Sequence, residues 1–218
     1  MSDKIKLSYS TVNSYFENPH TWPNKLSGLK TKELPVFAEG KAVQKVIINH
    51  LKGTEINEKI AEREKEDSTF VLPKFEIYEE KDFDERTKIR FDIDDTYYVE
   101  GWVDQMDEPG AKIGDIKAYN GGFTASMLRD SFQWKTYAVP LEWLKRVYYT
   151  SAARDMTDPR WAYTIKITMV EVAEIHRAQA LAWFRKFIKS IEAAEYLEDC
   201  TPKQRGRSCL YVGCEYCL

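Results

Sequence analysis

From Pro73 to Tyr119 the chain carries short runs rich in aromatic and β-branched residues, separated by polar turns. KFEIYEEK, KIRFDI, TYYVEGWVDQM and AKIGDIKAY are therefore predicted strands, and FDIDDTYY predicts a hairpin with Asp94 and Asp95 in its turn. On either side the apolar spacing becomes helical. SYSTVNSYFE (8–17) begins with capping serines and predicts a short helix, whereas NPHTWPNKLSGLKTK, with two prolines and a glycine, reads as loop. Pro35 sits where a helix start tolerates it, and Val36, Val43, Ile47 and Leu51 follow on one stripe. EINEKIAEREKED is charged all round and predicts a solvated helix. After NGGF, the run MLRDSFQWKTYAVPLEWLKRVYY predicts helix bent near Pro140, and WAYTIKITMV predicts one more strand. A helix from Ala173 to about Tyr196 places Phe184, Phe187, Ile188 and Ile191 on its core face. This order predicts an α/β fold, a central mixed β-sheet flanked by helices.

Composition narrows the class. The 218 residues are 43% hydrophobic and 31% charged, an ordinary globular balance. The net charge of -3 excludes a generally basic coat, so a polyanion must be met by a local patch. No apolar run approaches a membrane span and the polar start is no secretion signal, which predicts a cytoplasmic protein without a membrane partner. All four cysteines, Cys200, Cys209, Cys214 and Cys217, fall in the last 19 residues. Such clustering in a cytosolic chain points to a metal rather than disulfides. The chain contains neither internal repeat nor low-complexity linker, so it divides simply into a domain over 1–198 and a Cys-rich metal-binding tail over 199–218 packed on it.

The chemistry concentrates in GWVDQMDEPGAKIGDIKAY. Pro109 and Gly110 suit the centre of a type II turn, which would close a hairpin whose paired positions sum to 219. Asp104 then faces Asp115 and Trp102 faces Lys117, all four side chains leaving one face of the sheet. Facing carboxylates repel, an arrangement that makes sense with a cation between them. Oxygen ligands favour Mg²⁺ or Mn²⁺, and Lys117 is placed to serve a water or a phosphate in the transition state. Edge-strand acids beside a solvated lysine are the plain alternative.

GWVD followed by IGDIK resembles the active-site hairpin of the PD-(D/E)XK nuclease superfamily. Gln133 and Tyr137, four residues apart on a predicted helix face, form a Q-x-x-x-Y similar to that of the RecB-like branch, which includes RecB and AddB nuclease domains and the exonucleases of CRISPR adaptation. The resemblance, running from about Ser8 onward, implies a restriction-endonuclease-like sheet and Mg²⁺- or Mn²⁺-dependent hydrolysis of DNA phosphodiesters. It implies an exonuclease acting on ends or single strands in recombination, repair or CRISPR and phage DNA processing, in a bacterial or phage-infected cell. Asp104, Asp115 and the Ile116 carbonyl would hold the metal, Lys117 would serve the attacking water, and Gln133 and Tyr137 would position DNA. Trp102 would be buried against the site.

Two departures matter. Where the family carries G-x-x-x-H on the first long helix, this chain reads GKAVQ, with Gln44 in the histidine's place. Its carbonyl oxygen suits Mg²⁺ but cannot titrate, which leaves open a weakened nuclease fold that only binds DNA or a partner within a larger DNA-processing assembly. Iron–sulfur members use one cysteine near the first helix and three near the C-terminus, whereas here Asn18-Pro19 occupies the first place and the tail reads C-x8-C-x4-C-x2-C. The four thiolates suit a [4Fe–4S] cluster or structural Zn²⁺, with His20 as a substitute ligand for Cys200. Lys25, Lys30 and Lys32, and Lys203, Arg205 and Arg207, are basic runs suited to phosphates, with Trp22 and Tyr211 as stacking surfaces. His50 and His176 carry structural or surface readings only. A recombination or CRISPR-like protein complex and an oligomer both remain open.

Overall fold

The computed structural model describes residues 4–17, 35–66, 75–77, 87–118, 125–154 and 163–193. In chain order the elements are β1 (Ile5–Leu7), α1 (Tyr9–Glu17), α2 (Pro35–Lys52), α3 (Glu58–Glu66), β2 (Glu76–Ile77), β3 (Lys88–Asp92) and β4 (Tyr97–Trp102). They continue with β5 (Gln105–Asp107), β6 (Lys112–Ala118), α4 (Ala125–Asp130), α5 (Phe132–Ala138), β7 (Arg146–Arg154), β8 (Tyr163–Glu171) and α6 (Glu174–Glu192).

The strands form two mixed sheets rather than the one expected. A three-stranded sheet runs β1-β4-β3, with β1 parallel and β3 antiparallel to β4. A five-stranded sheet runs β2-β5-β6-β7-β8, with β6 and β7 parallel and the other neighbours antiparallel. TYYVEGWVDQM reads as one strand but is two: β4 ends at Trp102, the chain bends at Val103 and Asp104, and β5 continues in the other sheet. Period-two spacing is the same in both halves, so the sequence pattern does not reveal which neighbour each half finds.

Local chemistry fixes the element ends. Ser8 Oγ accepts from the Thr11 N–H and caps α1. Asp94 Oδ1 accepts from the N–H groups of Thr96 and Tyr97 at 2.7 and 2.8 Å, closing the β3–β4 hairpin as expected. The β5–β6 turn differs from the expected type II. The Ala111 N–H does bond the Glu108 carbonyl at 2.9 Å, but positive φ falls on Ala111 (52°) and not on Gly110. The Gly110 N–H bonds Asp107 Oδ1 at 2.9 Å, and a Cβ added at Gly110 would push that carboxylate aside. The pairing itself keeps the expected sum of 219, with Gln105 opposite Gly114 and Asp107 opposite Lys112.

The run from Met127 to Tyr149 does not stay helical. Helix breaks at Ser131, which caps α5, and ends at Ala138; residues from Arg146 are strand. Arg177 on α6 explains the intervening turn. Its guanidinium donates to the carbonyls of Ala138, Leu141, Glu142 and Leu144, satisfying acceptors that helix would have used internally.

Among the described residues, three apolar clusters hold the layers. Met106, Ile113, Val147 and Tyr149 of the larger sheet pack with Leu128 and Trp134 from α4 and α5, and Ile89 of β3 and Val103 at the bend join them. Leu7, Tyr97 and Val99 pack with Val12 and Tyr15 of α1 and Phe184, Phe187 and Ile188 of α6. Val43, Ile47 and Ile60 from α2 and α3 cover Ile116. No helix among the described residues is long and apolar enough to cross a membrane.

Candidate functional site

The split between the sheets makes the site. Gln105 opposite Gly114 is the last pair of the β5–β6 ladder, so beyond Gly114 the described partner of β6 is β7 alone. Asp104 lies at the bend just before that pair, and Asp115 just after it on β6. Neighbours on a strand point to opposite faces, so Asp115 and Lys117 share the face of Ile113, while Ile116 turns to α2 and α3.

Asp115 is 5% exposed, and neither of its carboxylate oxygens has an aligned hydrogen-bond donor among the described residues. Lys117 Nζ lies 2.8 Å from its Oδ2 as an ion pair. Burial pulls the Lys117 ammonium down, but the charge and contact of Asp115, then Asp104 and Tyr9, outweigh it and the net shift is upward. Lys117 is therefore a cation at neutral pH. Asp104 is pushed up to about 6, first by burial and then by the Asp115 charge, with Lys117 opposing. Two acids thus share a poorly solvated notch with one lysine, and the acid charge exceeds the base charge.

Around the acids stand phenols. Gln133 Nε2 donates to the Tyr137 hydroxyl at 2.9 Å, so the Q-x-x-x-Y pair is joined. The Tyr137 ring packs near Gly101 of β4. Burial, with Asp115 adding to it, raises both Tyr137 and Tyr149, which keeps both phenols protonated. Tyr149 sits beside Asp115 across the β6–β7 ladder. Tyr9 at the start of α1 is close enough to act on Lys117, Tyr137 and Tyr149 electrostatically. The sequence reading missed Tyr9 and Tyr149. RVYYTS read as a strand parallel to β6 would have found Tyr149, but Tyr9 carries no local signal.

Trp102 corrects an expectation. It faces Lys88, not Lys117, because β4 belongs to the three-stranded sheet, and it is half-buried on that sheet's outer face. Gln44 is half-buried on α2 beside Val43, which packs with Ile116 on the sheet face opposite Asp115. His50 is buried and structural: its Nδ1 accepts from the Asn57 N–H, and Nε2 lies 3.3 Å from Glu64. His176 Nδ1 accepts from the Ala173 N–H at the start of α6. Cys200, Cys209, Cys214, Cys217, His20, Trp22, Tyr211 and both basic runs lie outside the described residues.

No group of three or more His, Cys, Asp or Glu among the described residues is gathered for a metal. The donors present are two carboxylates, and Mg²⁺ is commonly held by one or two carboxylates with substrate and water oxygens completing its shell. The buried Asp115 carboxylate, whose one close cation is Lys117 among the described residues, fits such an ion.

These features define a mixed-sheet α/β protein with an acid pair and a lysine at the split of its sheets. Among solved structures, the chain shares its fold with the crystal structure of SSO0001, with a TM-score of 0.52 at 10% identity over 97% of this chain and 85% of that one. Two crystal structures of LHK-Exo align with lower scores. An alkaline exonuclease from Laribacter hongkongensis gives 0.44 at 14% identity, and the complex with dAMP gives 0.47 at 15%, each over 92% of this chain and 95% of the other. No family model and no curated protein matches the sequence.

Proposed function

We propose that the protein is a divalent-metal-dependent deoxyribonuclease that hydrolyses phosphodiester bonds at DNA ends or in single strands. The observation that carries this reading is Asp115: a buried carboxylate without an aligned donor, with a lysine at 2.8 Å and a charge that acts on a second acid, Asp104, at the sheet split. Asp104 and Asp115 would hold Mg²⁺ or Mn²⁺, with the Ile116 carbonyl as a further ligand. The ion would supply Lewis-acid polarisation of the phosphate. Lys117, kept cationic by Asp115, orients the attacking water and offsets charge on the phosphate rather than removing a proton. The Tyr137 hydroxyl accepts from Gln133, which leaves its own proton for a phosphate oxygen.

End-labelled DNA incubated with Mg²⁺ or Mn²⁺ tests the proposal. Wild type is expected to shorten the label, and Asp115→Ala and Lys117→Ala to lose at least about a hundredfold in rate. Equal activity in variants and wild type ends this reading. Gln44 favours a second one, a DNA- or partner-binding module without cleavage, which predicts DNA retention with no turnover in any divalent metal and a gain of activity in Gln44→His. For the cysteine tail the proposal is a [4Fe–4S] cluster, with structural Zn²⁺ as the alternative. A brown colour with iron on metal analysis of anaerobically purified protein separates them.

A further inference from the structure

We propose that the outer face of the three-stranded sheet is a track for single-stranded DNA that leads to the acid pair, an inference that rests on the nuclease reading for its direction. The β-pairing places seven side chains on that face: Lys6 and Asp92 on either side of Tyr98, Lys88 beside Trp102, and Arg90 beside Glu100. The opposite face holds Leu7, Val99 and Phe91 against α1 and α6, so the seven are turned away from the core.

Aromatic and cationic groups interleave there. The Arg90 guanidinium lies 4.3 Å from the Tyr98 ring centre, and Lys6 Nζ lies 5.3 Å from that of Trp102. Tyr98 and Trp102 are half-buried while Lys6 and Arg90 are exposed, so rings and charges are both accessible at the surface. The two acids do not make the strip acidic: Asp92 is paired by Lys4 at 2.8 Å, and the Glu100 carboxylate is paired by Lys6 and, at 3.3 Å, by Lys88.

The strip also has a direction. From Tyr98 to Trp102 it spans about 13 Å of strand, and Asp104 follows two residues later at the bend. Cations interleaved with aromatic rings are the chemistry that captures unpaired bases, whereas duplex DNA offers its bases to no such rings. None of this was visible as a basic run, because residues 6, 88 and 90 meet only through the pairing of β1 and β3 with β4.

Anisotropy of a fluorescein-labelled oligothymidine, measured in EDTA, tests the track. Wild type should bind it more tightly than the matching duplex. The double variant Arg90→Gln/Tyr98→Thr should bind about tenfold more weakly, with a salt slope shallower by about one. Equal binding by the double variant overturns the proposal. Should that variant fold poorly, wild type photocrosslinked to a bromouracil oligonucleotide decides: an adduct on Tyr98 or Trp102 supports the track, and adducts confined to other segments overturn it. Capture in EDTA without cleavage in Mg²⁺ would remove the nuclease reading alone. Cleavage accompanied by unaltered binding in the double variant would remove the track alone.

Discussion

Asp104 is the residue at which stability and the proposed chemistry oppose each other. Its carboxyl titrates near 6, above the model-peptide value, because burial and Asp115 disfavour its charged form. A folded-state value above the unfolded one means that the folded protein holds the proton more tightly. Stability is therefore unaffected below about pH 4, falls between about pH 4 and 6, and stays reduced above, by up to about 3 kcal/mol. Asp104→Asn removes the ionisation. In EDTA at pH 7.5 this variant is expected to melt higher than wild type by about 5–10 °C, and near pH 4 to melt at the same temperature. Thermal unfolding at the two pH values checks both halves. A variant less stable than wild type at pH 7.5 would mean that the carboxylate is welcome in the metal-free notch.

At the scale of elements, the connection from α5 to β7 depends on one side chain. Arg177 reaches four carbonyls that neither helix nor sheet uses. Hydrogen bonds from a charged donor are among the stronger ones, and truncation leaves the acceptors without it. Arg177→Ala is expected to cost about 3 kcal/mol and to lower the melting temperature by about 6–12 °C. Arg177→Lys should recover only part of this, because an ammonium lacks the planar fork. The same connection marks where the sequence stopped being legible. Leu141, Leu144 and Val147 continue a three-residue spacing that reads as helix, and nothing local says that Arg177, more than thirty residues away, will take the carbonyls. The α1 cap, the Asp94 turn, the α6 core face and the 219 register were legible because each is set by residues close in sequence. The bend at Val103–Asp104 was not, since it is decided by β1 and β3 claiming one half of a uniform strand pattern.

Across the whole molecule, Ile89 of the smaller sheet and Val103 at the bend join the core of the larger sheet, yet the strand that would continue from β4 into β5 is broken at the acids. Legibility of the candidate site follows this division. The acid pair and Lys117 were readable from one hairpin, whereas the phenols of Tyr9 and Tyr149 needed contacts between distant segments. An ion held by Asp104 and Asp115 would join the bend to β6 and relieve the repulsion between the acids. Binding to the folded state alone stabilises by mass action, about 2.7 kcal/mol when the free ion is a hundredfold above its dissociation constant. Mn²⁺ is therefore expected to raise the melting temperature of the EDTA-stripped wild type by about 5–10 °C at pH 7.5. Asp115→Asn and Asp104→Asn, each short of one charged ligand, should show little or none of that rise. The effect should also fade toward pH 5, because the proton on Asp104 competes with the ion. A rise of equal size in Asp115→Asn would place the ion elsewhere in the molecule and separate the sheet split from metal binding.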